Sequence, residues 1–175
     1  PRRDAVVVVA RQTQLAAGDV RSFSCTQAYA ASPARVFAAW TREEEVATWF
    51  GAAARVELRI GGPFEVYFLD ASAPARGSEG CVVLSWLPDR MLSFTWNAPP
   101  HLPYVRERRT WVVVDIAATP GGSVVTLTHT GWPEDGFAGA VAHPEWAATW
   151  SYFQAAWPRV LANLRRHVEE TAPAA

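Results

Sequence analysis

The 175-residue chain has no lysine; all sixteen of its basic residues are arginine. With alanine as the commonest residue, this pattern points to a GC-rich coding bias and concerns the genome more than the mechanism. Cysteine is scarce, and two residues, Cys25 and Cys81, cannot build the disulfide framework of a small secreted scaffold. A single bridge between them stays open, with two free buried thiols in a reducing cytosol as the simpler reading. No apolar run approaches the roughly 18 residues that a membrane span requires. The longest, Ala5 to Ala10, follows Arg2 and Arg3 much as a signal peptide would, but Arg11 and Gln12 interrupt it at once. No membrane span is therefore expected, and the expected location is the cytoplasm. An excess of charge is missing too: sixteen cations against seventeen anions leave a net charge of −1 and a pI near 6.5. A dedicated nucleic-acid binder carries a strong positive field, so no nucleic-acid partner is expected.

Several chemical signatures are also absent. The four histidines, His101, His129, His143 and His167, are scattered, with no Cys-x-x-Cys or His-x-x-x-His pair to hold a metal ion. Ser85 and Ser93 fall in strand patterns without the Gly-flanked elbow that exposes a nucleophile. Gly61-Gly62 and Gly121-Gly122 connect strand to strand, whereas a phosphate-cradling loop joins a strand to a helix. No metal and no cofactor are expected. Asp70, Asp89 and Asp135 sit in turns, where Asp caps its own backbone.

What the chain does have is tryptophan, nine copies of it, within an aromatic content of 12%. Half the residues are hydrophobic and 19% are charged, the balance of an ordinary globular domain rather than a disordered chain. At this length one domain is expected, large enough to bury about 70% of the unfolded chain's surface.

The hydrophobic pattern divides the chain into an arm at 1–19, a domain at 20–170 and a tail at 171–175. In the arm Val6 to Val9 is strand-prone and Gln12 to Asp19 reads as a polar connector, giving an ordered arm or an extra edge strand. From Val20 the residues Phe23, Cys25, Gln27 and Tyr29 alternate with Ser22, Ser24, Thr26 and Ala28, a strand with one wetter face. Ser32-Pro33 reads as an N-cap and first helical position, followed by Val36, Phe37 and Trp40 on one helical side. A second short helix is expected from a Thr41 cap, with Glu43, Glu44 and Glu45 at its positive end, running out at Trp49-Phe50-Gly51. Strands are expected at Arg55 to Ile60, around Phe64, Val66 and Phe68, around Val82, Leu84 and Trp86, around Leu92, Phe94 and Trp96, and at Tyr104 to Ile116 and Ser123 to Thr130. The last two join through a Pro120-Gly121-Gly122 hairpin. A long helix opens at His143-Pro144-Glu145, its apolar stripe formed by Trp146, Trp150, Phe153, Trp157, Leu161, Leu164 and Val168. Pro158 should kink that helix or split it. The fold class is thus α+β: a curved antiparallel sheet wrapped around a long C-terminal helix, with two short helices after the first strand of the domain. Such a sheet cannot close on one helix at both ends, which favours an apolar cavity between the layers.

Six segments resemble one family in their expected order. Tyr29 to Trp40 resembles the opening strand and helix of the START-like helix-grip (SRPBCC) superfamily. Glu45-Val46-Ala47-Thr48-Trp49-Phe50-Gly51 is similar to the second helix of its branch named for the activator of the heat-shock protein 90 ATPase. Leu58 to Val66, Leu92 to Trp96, Thr126 to Trp132 and Ala156 to Leu164 extend the resemblance over about residues 20 to 170. The resemblance implies the helix-grip fold and a spread of activities. Members bind lipids, polyketides or other apolar molecules, a few catalyse cyclisation, the eukaryotic namesake is a co-chaperone, and some bacterial relatives protect their producers from reactive antibiotics. The arm at 1–19 departs from the pattern, as does Tyr152-Phe153-Gln154-Ala155, where the family often shows His or Gly.

The leading functional reading is a bacterial protein that binds a hydrophobic aromatic or polycyclic molecule between sheet and helix. The expected ligand-binding set is Trp40, Phe68, Trp86, Trp96, His129, Trp146 and Trp150, whose flat rings suit such a ligand. The same tryptophans packed solid would leave no cavity. His129 follows Val125 and Leu127 at strand period, and a neutral imidazole facing a cavity can act as general base. That supports the alternative of a cyclase- or hydrolase-like enzyme, against a purely structural histidine. Arg106 and Arg108, next to Glu107 and Arg109, are placed on one strand face where they would meet an anionic group, or simply end a solvated strand. A third reading is a protein-interaction module, with the Val6 to Val9 arm pairing two copies into a homodimer.

Overall fold

The computed structural model describes residues 7–11, 20–139 and 142–170. The expected connector at Gln12 to Asp19 and the tail at 171–175 lie outside the described residues. The elements in chain order are β1 (Val7–Arg11), β2 (Val20–Tyr29), α1 (Pro33–Thr41), α2 (Glu43–Trp49), β3 (Ala53–Val56), β4 (Phe64–Tyr67), β5 (Val83–Leu87), β6 (Met91–Trp96), α3 (Pro103–Arg106), β7 (Thr110–Thr119), β8 (Gly122–Pro133) and α4 (Pro144–Glu170). Six strands form one curved antiparallel sheet in the order β1-β2-β8-β7-β6-β5, and β3 and β4 pair separately. The helix-grip α+β architecture follows, with α4 laid across the sheet.

Local sequence explains the framework. In β2 the residues Phe23, Cys25, Gln27 and Tyr29 are buried while Ser22, Ser24 and Thr26 are half-buried. On that second face Ser24 bonds Thr128 at 2.8 Å and Thr26 meets Thr126 at 3.3 Å, a hydroxyl ladder across β2 and β8. Ser32 caps α1, its Oγ accepting from the Arg35 N–H at 3.2 Å, and Pro33 takes the first turn. The next cap differs from the reading above. Thr41 donates its Oγ1 proton to the Phe37 carbonyl at 2.8 Å, still inside α1, and Arg42 takes the N-cap of α2 without a side-chain bond. Glu43, Glu44 and Glu45 then supply the negative charge that the N-terminus favours.

Three strand expectations are corrected. β3 stops at Val56 because residues 57–62 curl, Gly62 N–H donating to the Arg59 carbonyl at 2.8 Å, which leaves Ile60 on the surface. In β5 a bulge between Val83 and Ser85 shifts the register. Val83 is therefore buried and Leu84 exposed, so Val82, Leu84 and Trp86 do not form one inward face. Tyr104 to Arg109 is not strand: Pro103 starts the short helix α3, and β7 begins at Thr110 after Arg109, whose φ is 26°.

The core lies between sheet and α4. Seven α4 side chains, Trp146, Thr149, Phe153, Trp157, Leu161, Leu164 and Val168, are buried along one stripe. Thr149 takes a place assigned to Trp150, which is half-buried. Of the two outcomes expected of Pro158, the split does not occur; α4 runs through it, held by buried Trp157 and Leu161 on either side. Both cysteines are free and buried, and burial pushes each thiol up to about 11, which makes them inert core residues.

The Ser32 cap makes a direct prediction. Ser32→Ala leaves one N-terminal amide of α1 without a partner and lowers stability by about 1 kcal/mol. Urea unfolding followed by far-UV circular dichroism measures it, and an unchanged midpoint would show that the cap contributes nothing.

Candidate functional site

An open pocket of about 290 Å³ lies between the sheet, α4 and the loops 68–77 and 97–100. Its floor is aromatic. Phe50, at the end of α2, stacks on Trp96 of β6 with ring centres 5.5 Å apart and planes 14° apart. Trp157 of α4 closes the inner side, 5.6 Å from Trp96 and 6.0 Å from Phe50. Phe153, Ala156 and Val160 continue the wall along α4, and Phe68, Leu69 and Tyr152 form a rim that stays substantially exposed.

Two close backbone approaches fix these walls. A Cβ on Gly51 would come within 2.7 Å of the Tyr67 carbonyl oxygen, and one on Gly77 within 1.8 Å of the Val66 carbonyl oxygen. Both contacts press the chain against β4, so the Trp49-Phe50-Gly51 turn delivers Phe50 to the floor and the 68–77 loop folds back over the mouth.

The expected ligand set separates into wall and packing. Phe68 and Trp96 line the pocket. Trp40 is fully buried behind them, edge-on to Trp49 at 4.8 Å and 5.7 Å from Phe50. Trp86 is half-buried on β5, while Trp146 packs 6.2 Å from Tyr104 and Trp150 5.2 Å from both Phe23 and Trp132; none of these lines the pocket. Of the expected tryptophans, Trp96 faces the pocket, while Trp40, Trp86, Trp146 and Trp150 do not. Trp157 and Phe153, part of the apolar stripe of α4, also line the pocket, a role that the helical period alone does not distinguish from packing. The Trp49-Phe50-Gly51 motif was the available signal for Phe50.

His129 is not on the pocket surface. It is fully buried, and both ring nitrogens are engaged. Trp157 donates its Nε1 proton to His129 Nδ1 at 2.8 Å. With Nδ1 accepting, the neutral imidazole carries its proton on Nε2 and donates it to Thr110 Oγ1, 2.7 Å away. Thr110 in turn donates to the Trp96 carbonyl at 3.3 Å. The chain of bonds thus ties the indole of one pocket wall to the backbone of the other. Burial holds the imidazole well below its ordinary value near 6.5, hence neutral. The general-base role expected of His129 is corrected accordingly: no lone pair remains for a substrate, and Trp157 stands between it and the pocket.

The arginine expectation also changes. Arg106 reaches the pocket from α3, not from a strand, and its guanidinium donates to the Ala98 carbonyl at 2.6 Å, the Gly77 carbonyl at 2.8 Å and Glu79 Oε2 at 2.6 Å. Arg108 stacks 3.6 Å above the Tyr104 ring and bonds the Tyr104 carbonyl. Arg109 donates to the carbonyls of Gly80 and Glu79. Arg106 and Arg108 therefore do not share a face. Among the described residues no cluster of three or more His, Cys, Asp or Glu side chains is placed to hold a metal ion, and no helix is long and apolar enough to cross a membrane.

The buried imidazole makes stability depend on pH. The unfolded chain takes up a proton on His129 near pH 6.5, whereas the folded chain resists it until much lower pH. Stability contributed by the neutral ring is complete above that value and is lost as pH falls, by up to about 1.4 kcal/mol per pH unit. His129→Gln retains one acceptor and one donor without the titration. Urea unfolding at neutral and mildly acidic pH should show a shallower loss in the variant than in the wild type; parallel losses would contradict the assignment.

Comparison with known proteins agrees with this architecture. The family model described as Activator of Hsp90 ATPase homolog 1-like protein matches residues 30–169, and the chain belongs to that family. No curated protein matches it. Among solved structures, protein MLL2253 from Mesorhizobium loti superposes with a TM-score of 0.67 at 18% identity, covering 87% of this chain and 100% of its own. CalU16 from Micromonospora echinospora gives 0.61 at 19% identity, covering 97% of this chain and 86% of its own. An AHSA1-like protein from Rhizobium etli gives 0.57 at 23% identity, with 89% and 86% covered. At these identities the likeness establishes the fold.

Proposed function

We propose that this member of the Activator of Hsp90 ATPase homolog 1-like family binds a hydrophobic, aromatic or compact polycyclic small molecule in the pocket between the sheet and α4. The observation that carries this reading is the stacked Phe50–Trp96 floor opening directly onto the 290 Å³ space. Aromatic walls of this kind offer flat faces whose contact with a planar ligand adds about 0.5–1.5 kcal/mol per ring pair beyond area burial. At about 290 Å³ the volume falls just below the roughly 300–1,000 Å³ typical of small-molecule sites, which favours a compact ring system over a long acyl chain. The apolar rim of Phe68, Leu69 and Tyr152 supports the same reading, since exposed apolar groups around a cleft mark a binding mouth. A cyclase-like reading has lost the base it relied on.

Ala156 gives a test that leaves the core alone. It lines the pocket while remaining partly exposed on α4, so Ala156→Trp fills the space without displacing a buried side chain. Titration of the intrinsic tryptophan fluorescence with 2-naphthol should show saturable quenching in the wild type. The affinity should fall by about tenfold or more in the variant, because an occupied cavity cannot accept the ring. Unaltered affinity in the variant would place the ligand elsewhere.

A further inference from the structure

Two guanidinium-bearing residues line the pocket, Arg76 and Arg106, and their surroundings differ. The Arg106 charge is met by Glu79 at 2.6 Å. Glu79 is itself saturated: Oε2 also accepts the Gly77 N–H at 3.1 Å, and Oε1 accepts the backbone N–H of Arg76. Partial burial opposes ionisation of Glu79, yet these amide bonds and the Arg106 charge hold its carboxyl below the ordinary range. The guanidinium of Arg76 lies 4.0 Å over the Tyr67 ring and forms no ion pair among the described residues. The carboxylates nearby are engaged elsewhere. Glu65 accepts from the Tyr67 hydroxyl and the Gly80 N–H, and Asp70 accepts from the Ser72 N–H on the open surface while feeling the Arg76 charge. Of the two arginines that line the pocket, Arg106 is thus held in an ion pair and Arg76 is not.

Resting on the reading that the pocket holds an aromatic molecule, we propose that this molecule is an acid. Its ring lies on Phe50, Trp96 and Trp157, and its carboxylate is met at the mouth by the guanidinium of Arg76. The planar guanidinium fork matches a carboxylate in two parallel hydrogen bonds, which a neutral amide or alcohol cannot reproduce. Stacking on Tyr67 already restrains the group, so less side-chain entropy is lost when a ligand arrives. Arg76 is half-buried, so the empty pocket keeps its charge hydrated and the bound one partly shields the pair from water. The arginines expected from sequence to meet an anion are Arg106 and Arg108; the first is paired with Glu79 and the second stacks on Tyr104, so the proposed contact falls to Arg76.

The test compares 2-naphthoate with 2-naphthamide, which share a ring system and differ in charge, by isothermal titration calorimetry at low ionic strength. The wild type should bind the naphthoate about five- to tenfold more tightly, as a partly exposed charge-assisted pair allows. Added salt should shrink that preference. In Arg76→Gln the ratio of the two affinities should fall to within about twofold, whatever change the two compounds share. Equal affinities in the wild type, or a preference undiminished in Arg76→Gln, would overturn the proposal while leaving aromatic binding intact. Binding of neither compound would overturn both.

Discussion

A histidine buried without charge has to satisfy both ring nitrogens inside the protein, and in this fold that requirement joins the two layers. His129 projects from β8 under α4, accepts a hydrogen bond from the Trp157 indole N–H at 2.8 Å and donates one to Thr110 at 2.7 Å. Thr110 passes the connection to the backbone of Trp96. The bond fixes the rotamer of Trp157, and with it one side of the pocket. The neighbouring rings Phe153 and Trp132 lie 4.7 Å and 4.2 Å from the imidazole and exclude water from it. A neutral polar residue therefore sets the position of an apolar wall, because leaving the indole N–H or the imidazole unpaired in this setting costs about 1–3 kcal/mol for each group.

The aromatic layer extends from this point in both directions. Trp157 meets Trp96, Trp96 meets Phe50 and Phe94, and Phe94 stacks on Phe64 with centres 3.9 Å apart. Toward the other end Trp132, Phe23 and Trp150 pack against one another with ring centres 5.2 to 5.6 Å apart. The pocket opens where α4 presents Ala156 in place of a large side chain and where the Gly77 backbone lies against Val66. Rigid rings on three sides and short loops at the mouth give a site whose shape is set before any ligand enters, which limits the ordering cost of binding. On the proposed reading, Arg76 would act on a charged ligand group that the apolar floor cannot discriminate.

The architecture was legible in the sequence because its signals are long and periodic. The α4 stripe, the alternation of β2 and the Ser32-Pro33 cap each express one physical rule over several residues, and their order restricts the topology to few solutions. The site was less legible. Trp40 and Trp96 share an inward pattern, yet one lies beneath the pocket floor and the other forms it. No local pattern distinguishes those positions, because the difference depends on where α4 crosses the sheet. The bulge in β5 and the α3 helix likewise defeat periodicity: one added residue reverses a face, and Pro103 replaces a strand start by a helical turn. Arg76 carries no local signal, because it sits in a loop 68–77 whose path is set by the Gly77 contact with β4, a long-range relation that spacing does not encode.

The indole N–H resonances of the nine tryptophans make the molecule its own reporter. The most direct measurement is a proton–nitrogen correlation spectrum of the labelled protein recorded during titration with 2-naphthoate. An aromatic ring entering the pocket predicts large, saturable shifts of the Trp96 and Trp157 indole signals, with Trp40, Trp86 and Trp146 nearly unmoved. Shifts concentrated on Trp86 or Trp146, or no saturable shift at all, would contradict a ligand site between the sheet and the C-terminal helix.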